Sequence, residues 1–265
     1  MGELYALVSA GGAPGVTTTA ITLALTWPSP VIVAECDPSG GDILVGLLAG
    51  HVPAGRGLME HAMDAGRSRQ AATASLATHL VPLDEDRTRM LLPGLTDPRQ
   101  AAGLEAAWPA VAATLTAQAA DVIADCGRLD AAAGRPLAIL STARTVAIVL
   151  RPTLRQVWLA RSRVEMLCHL VGSSARLALL LIGPGTHSAR EVAHALGVPV
   201  AAALPADSRT ACVLSDGLGG RHYLARGPLM RAGSSAGKAL RLHDKTSRRH
   251  SADAFAGEAK VKRWQ

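Results

Sequence analysis

Lysine is absent from the first 237 of 265 residues: all four, Lys238, Lys245, Lys260 and Lys262, lie at the carboxyl end. Aromatic residues are scarce too, at 3% with a single Phe, against 49% hydrophobic residues overall. Ala, Val, Leu and Ile must therefore fill the core, which favours helices packed closely on a sheet. The four cysteines, Cys36, Cys126, Cys168 and Cys212, form no CxxC pair and have no histidine at metal-ligand spacing. That argues against a zinc site or a disulfide framework and suits a reducing compartment. No apolar stretch reaches the roughly 18 residues that cross a bilayer, and no amino-terminal run has the makeup of a secretory signal. The expectation is a soluble, cytoplasmic chain whose bulk is one domain. The nine histidines are scattered, and no Ser/His/Asp arrangement can be argued from their spacing.

The net charge of +6 is uneven. Residues 241–265 hold seven Lys/Arg against three Asp/Glu, so four of the six net positive charges lie in the last 25 residues. The sequence divides into a folded region, 1–235, and a basic, flexible carboxyl-terminal tail, 236–265. Such a tail could bind nucleic acid or an anionic membrane, which would place the protein at the inner membrane face, or could merely solubilise the chain. Within it, Ala252, Phe255, Ala256 and Ala259 fall at helical spacing.

Before the tail, apolar runs alternate with helical patterns. Leu4–Ser9 is a short apolar run ending in a glycine-rich turn, and an apolar helical repeat begins at Val16. Pro28 and Pro30 close that helix, and Val31–Ala34 starts a second strand that runs into Glu35-Cys36-Asp37-Pro38. Helical patches follow at 57–65 and 69–78, then a helix over Gln100–Ala119. Further strands are predicted at Asp121–Asp125, Thr145–Leu150, Arg176–Ile182 and Val198–Leu204, with helices at 154–171 and 188–196. Continuous apolar strands separated by helices imply an α/β fold: a mostly parallel sheet with helices on both faces, in three layers.

A loop between the first strand and first helix of such a sheet gathers backbone N–H groups at a helix N-terminus, which is an anion site. Here that loop is Gly11-Gly12-Ala13-Pro14-Gly15-Val16-Thr17-Thr18. Its glycines permit close backbone approach, and a hydroxyl on the first helical turn, that of Thr17, can ligate Mg²⁺. The loop, the acidic Glu35-Cys36-Asp37-Pro38 segment and Asp125 occur in the order seen in the ParA/MinD family of P-loop ATPases, which the chain resembles over residues 1–235. Arg151-Pro152 after a strand and the Leu204–Asp207 stretch add to the likeness. The resemblance implies a P-loop NTPase-type fold, ATP with Mg²⁺ as ligand, and a homodimer. It also implies nucleotide contacts from Gly11, Gly12, Ala13, Pro14, Gly15, Val16, Thr17 and Thr18. The metal would be held by Thr17, Asp37 and Asp125, with Asp37 as the catalytic, water-orienting carboxylate, Glu35 behind it, and Asp42 as the N-cap of the next helix.

The departures are as informative. In the pattern G-x-x-x-x-G-K-[ST] the lysine that reaches the β- and γ-phosphates falls on Val16, and the family's second loop lysine falls on Gly11. Phosphoryl transfer depends almost wholly on positioning and charge stabilisation, so losing both cations should suppress turnover while leaving backbone cradling possible. Arg128 and Arg151 are the arginines that could approach the phosphates instead. The Asn expected to read adenine is replaced by Ile182-Gly183-Pro184, so GTP is not excluded. Lysine loss resembles the TadZ/CpaE branch, which implies a positioning or regulatory protein for pilus or secretion machinery, with a secretion or pilus ATPase as partner. The rivals are an active partition ATPase that binds DNA and a ligand-free scaffold of the same fold.

Overall fold

A computed structural model describes residues 1–12, 14–48, 50, 55–129, 134–173, 176–217, 224 and 227–243. Eight strands form one sheet: β1 (Leu4–Ser9), β2 (Val31–Glu35), β3 (Val81–Pro82), β4 (Arg89–Leu92), β5 (Asp121–Arg128), β6 (Thr145–Leu150), β7 (Leu177–Ile182) and β8 (Val200–Leu204). Their spatial order is β3-β4-β2-β5-β1-β6-β7-β8. All neighbours pair in parallel except β3 with β4. The chain winds outward from β1 in both directions, so the loop after β1 emerges where the winding reverses. Open α/β sheets bind their ligands at such a point, outside the carboxyl ends of the strands.

The helices cover both faces, as the apolar strands require. Leu4, Ala6 and Val8 of β1 enter one core with α3 (Leu58–Arg67), α4 (Arg69–His79), α6 (Trp108–Thr116), α7 (Leu137–Thr142), α8 (Leu154–Val171) and α9 (Ala189–Leu196). Tyr5 and Leu7 enter the other, with α1 (Val16–Thr26), α2 (Ile43–Leu48), α10 (Ser208–Asp216) and α11, residues 228–243. This alternation is the period of two of a strand buried on both sides.

Several boundaries match the expectation. The helix predicted at 154–171 is α8, and α9 begins at a capping box of Ser188 with Glu191 and ends at Gly197 in the left-handed region.

Others differ. The single helix expected over Gln100–Ala119 is broken into a 3-10 turn at Pro98–Gln100, α5 (Ala101–Leu104) and α6. Pro109 lacks an amide hydrogen and sits in the first turn of a new helix, where none is needed. The predicted boundary at 235 falls inside α11, whose Ala236 and Leu240 are fully buried. Gly233 and Gly237 let this helix approach α1: a Cβ on Gly233 would lie 2.5 Å from Thr22 Cγ2, and one on Gly237 3.1 Å from the Trp27 ring. The folded region therefore extends at least to residue 243. The rest of the expected tail, with its alanine-rich stretch, lies outside the described residues. Among the described residues no helix is long and apolar enough to cross a membrane.

Candidate functional site

The loop leaves β1 at Ser9 and enters α1 through Gly15, the N-cap, at φ 97 and ψ 46. Only glycine takes that conformation cheaply. It turns the chain so that α1 starts with no side chain capping its first amides, which face the carboxyl edge of the sheet. The Thr19 hydroxyl donates back to the Gly15 carbonyl (2.7 Å) and that of Thr22 to Thr18 (2.7 Å). Val16, where a lysine would stand, is buried in the core beside α1. Gly11 and Gly12 lie under α8, where a Cβ would meet Leu159 Cδ1 at 3.1 Å and Gln156 Nε2 at 2.8 Å respectively. Ala13 lies outside the described residues.

The structure brings Thr17, Asp37 and Asp125 together. β5 runs between β1 and β2, in register Leu7 with Asp125 and Glu35 with Asp125. Asp125 thereby stands between the loop and the acidic segment after β2. The Thr17 hydroxyl donates to the Asp125 carboxylate, and the Gly127 amide donates to its Oδ1 at 3.0 Å. Burial pushes the Asp125 pKa up to about 6, with Asp37 and Asp42 adding to the rise and the two hydrogen bonds opposing it. Asp37 accepts the Ser39 amide at 2.8 Å and packs against the backbone of Gly127. Among the described residues no three His, Cys, Asp or Glu side chains form a metal site. A magnesium ion here would need phosphate oxygens to complete its shell, as Mg²⁺ commonly does.

Glu35 does more than the sequence suggests. Its carboxylate is 3% exposed and accepts three backbone amides: Asp42 (2.8 Å), Ile43 (2.9 Å) and Gly94 (3.0 Å). Burial, aided by the charge on Asp125, raises its pKa to about 7. The Glu35 carboxylate thus holds the opening amide of α2, and Asp42 stands at the expected N-cap position, its carbonyl accepting the first helical bond from the Gly46 amide at 2.8 Å. By binding residues on both sides, Glu35 ties the segment that carries Asp37 to the end of β4.

A cavity of about 440 Å³ opens beside the loop. Pro14, Gly15, Thr18 and Thr19 form one wall; Arg151, Ile182 and the stretch Pro205–Ser208 with α10 form the other. Pro205, Ala206 and Asp207, from the stretch where the resemblance implies a nucleotide base, thus line this cavity. The Asp207 carboxylate, however, is engaged as the N-cap of α10, accepting from the Thr210 amide and hydroxyl and from the Leu229 amide. Sequence reasoning missed α10, although Asp207 and Gly217 mark its two ends, and the buttress at Gly127, which is a contact between segments far apart in the chain.

Solved structures share this architecture. A ParA family ATPase from Chlorobium tepidum superposes with a TM-score of 0.70 at 15% identity, covering 89% of this chain and 98% of that one. The septum site-determining protein MinD complexed with Mg-ADP, from Pyrococcus horikoshii, gives 0.68 at 16% identity over 91% and 96%. A complex of a single-residue variant of McdA with ATP, from Cyanothece, gives 0.64 at 18% identity over 90% and 96%. The fold is that of the ParA/MinD ATPases. No family model and no curated protein matches the sequence, so the likeness is one of ParA/MinD architecture, spanning nearly the whole length of each neighbour.

Proposed function

We propose that this chain is a nucleotide-binding protein of ParA/MinD type that positions or regulates a partner assembly and turns its nucleotide over slowly or not at all. One observation carries the reading. An uncapped helix N-terminus behind a glycine turn starts the helix whose Thr17 pairs with Asp125, with the Asp37 carboxylate close by, and a cavity lined by Gly15 and Thr18 opens beside the same turn, while the lysine position holds a buried Val16. The backbone amides suit a polyphosphate. Thr17, Asp37 and Asp125 are hard oxygen donors and would hold magnesium together with the phosphates. That ion would neutralise phosphate charge. The chain's own residues would cradle the phosphates, orient a water from Asp37 and wall off the base, but aim no lysine at the γ-phosphate.

MinD with Mg-ADP and McdA with ATP support an adenine nucleotide, and the absence of the expected Asn keeps GTP open. In the MinC:MinD complex from Aquifex aeolicus a protein of this fold engages a protein partner. For this chain the TadZ/CpaE resemblance favours a homodimer that engages a pilus or secretion ATPase. Calorimetry with ATP and GTP plus Mg²⁺, beside a phosphate-release assay, tests the reading. The wild type binds a triphosphate, Gly15→Asp does not, and phosphate release stays at background. Release well above background and abolished in Asp37→Ala would instead identify an active ATPase, and no binding at millimolar nucleotide a scaffold.

A further inference from the structure

The loop has no lysine, yet a triphosphate carries several negative charges, and amides alone match them poorly. β1 and β6 are neighbours in parallel, with Ser9 opposite Val149. Arg151, two residues beyond Val149, therefore stands level with Gly11, where the glycine loop begins. On the far side Leu150 pairs with Leu181, which brings Arg151 beside Ile182, and both line the cavity that Gly15 and Thr18 close. Arg151 is the one cationic residue among the described residues lining that cavity. Its side chain is exposed and makes no ion pair or hydrogen bond among the described residues. The two carboxylates in the same wall are otherwise engaged: Asp207 caps α10, and Asp216 accepts from the Ser215 hydroxyl and the Cys212 thiol. Arg128, at the end of β5, does not line it.

We propose that Arg151 supplies in this chain the charge that its phosphate loop lacks, by gripping the terminal phosphates of a bound nucleoside triphosphate from the neighbouring strand. The inference rests on the nucleotide-binding reading and adds the residue that makes it work without lysine. A guanidinium is permanently charged and presents a planar fork that can hold two phosphate oxygens at once. Anchored at the end of a central strand, it has less of its reach to order than a lysine on a mobile loop would.

The test is a calorimetric titration of the mono-, di- and triphosphates of adenosine and guanosine, with Mg²⁺, into full-length wild type, Arg151→Ala and Arg151→Lys. The expected loss in Arg151→Ala grows with the number of phosphates, from less than about twofold for the monophosphate to about tenfold or more for the triphosphate. Arg151→Lys recovers part of it, keeping the charge but losing the two-point grip. Apo thermal midpoints should be alike, because the unpaired, exposed side chain supports nothing in the fold. An equal loss for all three nucleotides would place Arg151 on the ribose or base and overturn the proposal, as would no loss. If wild type binds none of the nucleotides, the nucleotide-binding reading falls and the inference falls with it.

Discussion

Gly127 and Asp37 are packed so closely that a side chain on the glycine would occupy the carboxylate: a Cβ there would fall on Asp37 Oδ2. Gly127 also sits at φ 60, in the left-handed region that costs other residues about 1–2 kcal/mol. Gly127→Ala should therefore lose at least that much stability in a denaturant titration and, by displacing Asp37, should weaken magnesium–nucleotide binding beyond what the stability loss accounts for. Unchanged affinity would show that Asp37 is not held for the ligand.

Glu35 accepts three amides with two oxygens, and a glutamine can offer only one acceptor. Glu35→Gln should leave an amide of α2 or that of Gly94 facing an NH₂ group, at a cost of about 1–3 kcal/mol. The effect should depend on pH. Burial raises the Glu35 pKa to about 7, so the folded state holds its proton more tightly than the unfolded state. Its contribution to stability is fullest below its unfolded value of 4.5 and falls as the pH rises through about 7. Urea titrations of wild type and variant between pH 4 and 8 read this directly, and curves of equal slope would contradict it.

How much of this was legible in the chain can be seen residue by residue. β1, β6 and β7 were readable because their apolar runs are unbroken, and α8 because its apolar residues recur at helical spacing between Pro152 and Gly172. The nearness of Thr17, Asp37 and Asp125 was foreshadowed by their places close to the junctions of apolar runs with loops. β4 was not: Arg89–Leu92 is four residues long and starts with a charge, and only pairing with β2 and β3 makes it a strand. α11 was hidden by its small residues, since Gly233 and Gly237 look like linker until Thr22 and Trp27 are placed against them. The placing of Arg151 beside the loop depends on β6 inserting next to β1, a fact of topology that no local pattern carries.

Truncation tests the domain boundary. A chain ending after residue 235 loses the buried Ala236 and Leu240, whereas one ending after 243 keeps them. The shorter chain should be less stable by about 2 kcal/mol or more, the value of burying one leucine. Equal melting temperatures would show that residues 236–243 of α11 contribute nothing to the core beside α1.

Ligand binding should also titrate. The Asp125 carboxyl is held up near 6 mainly by burial, and only its ionised form can serve a magnesium ion. Affinity for magnesium–nucleotide should therefore rise as the pH passes upward through about 6. Without ligand the sign reverses: stability from this group is fullest below its unfolded value of 3.8 and is lost through the same range. Asp125→Asn removes the protein's share of the affinity rise and leaves the titration of the phosphate itself, so the difference between the two profiles isolates Asp125. Identical profiles would remove Asp125 from the metal's neighbourhood.

The claim on which all of this depends is that main-chain amides of the β1–α1 turn hold the phosphates. Amide proton chemical shifts, followed by NMR as magnesium and ATP or GTP are added, report on those groups one by one. The account predicts that Gly15, Val16 and Thr17 move most and reach saturation together. Shifts confined to other parts of the chain, with these three unmoved at saturating nucleotide, would contradict it.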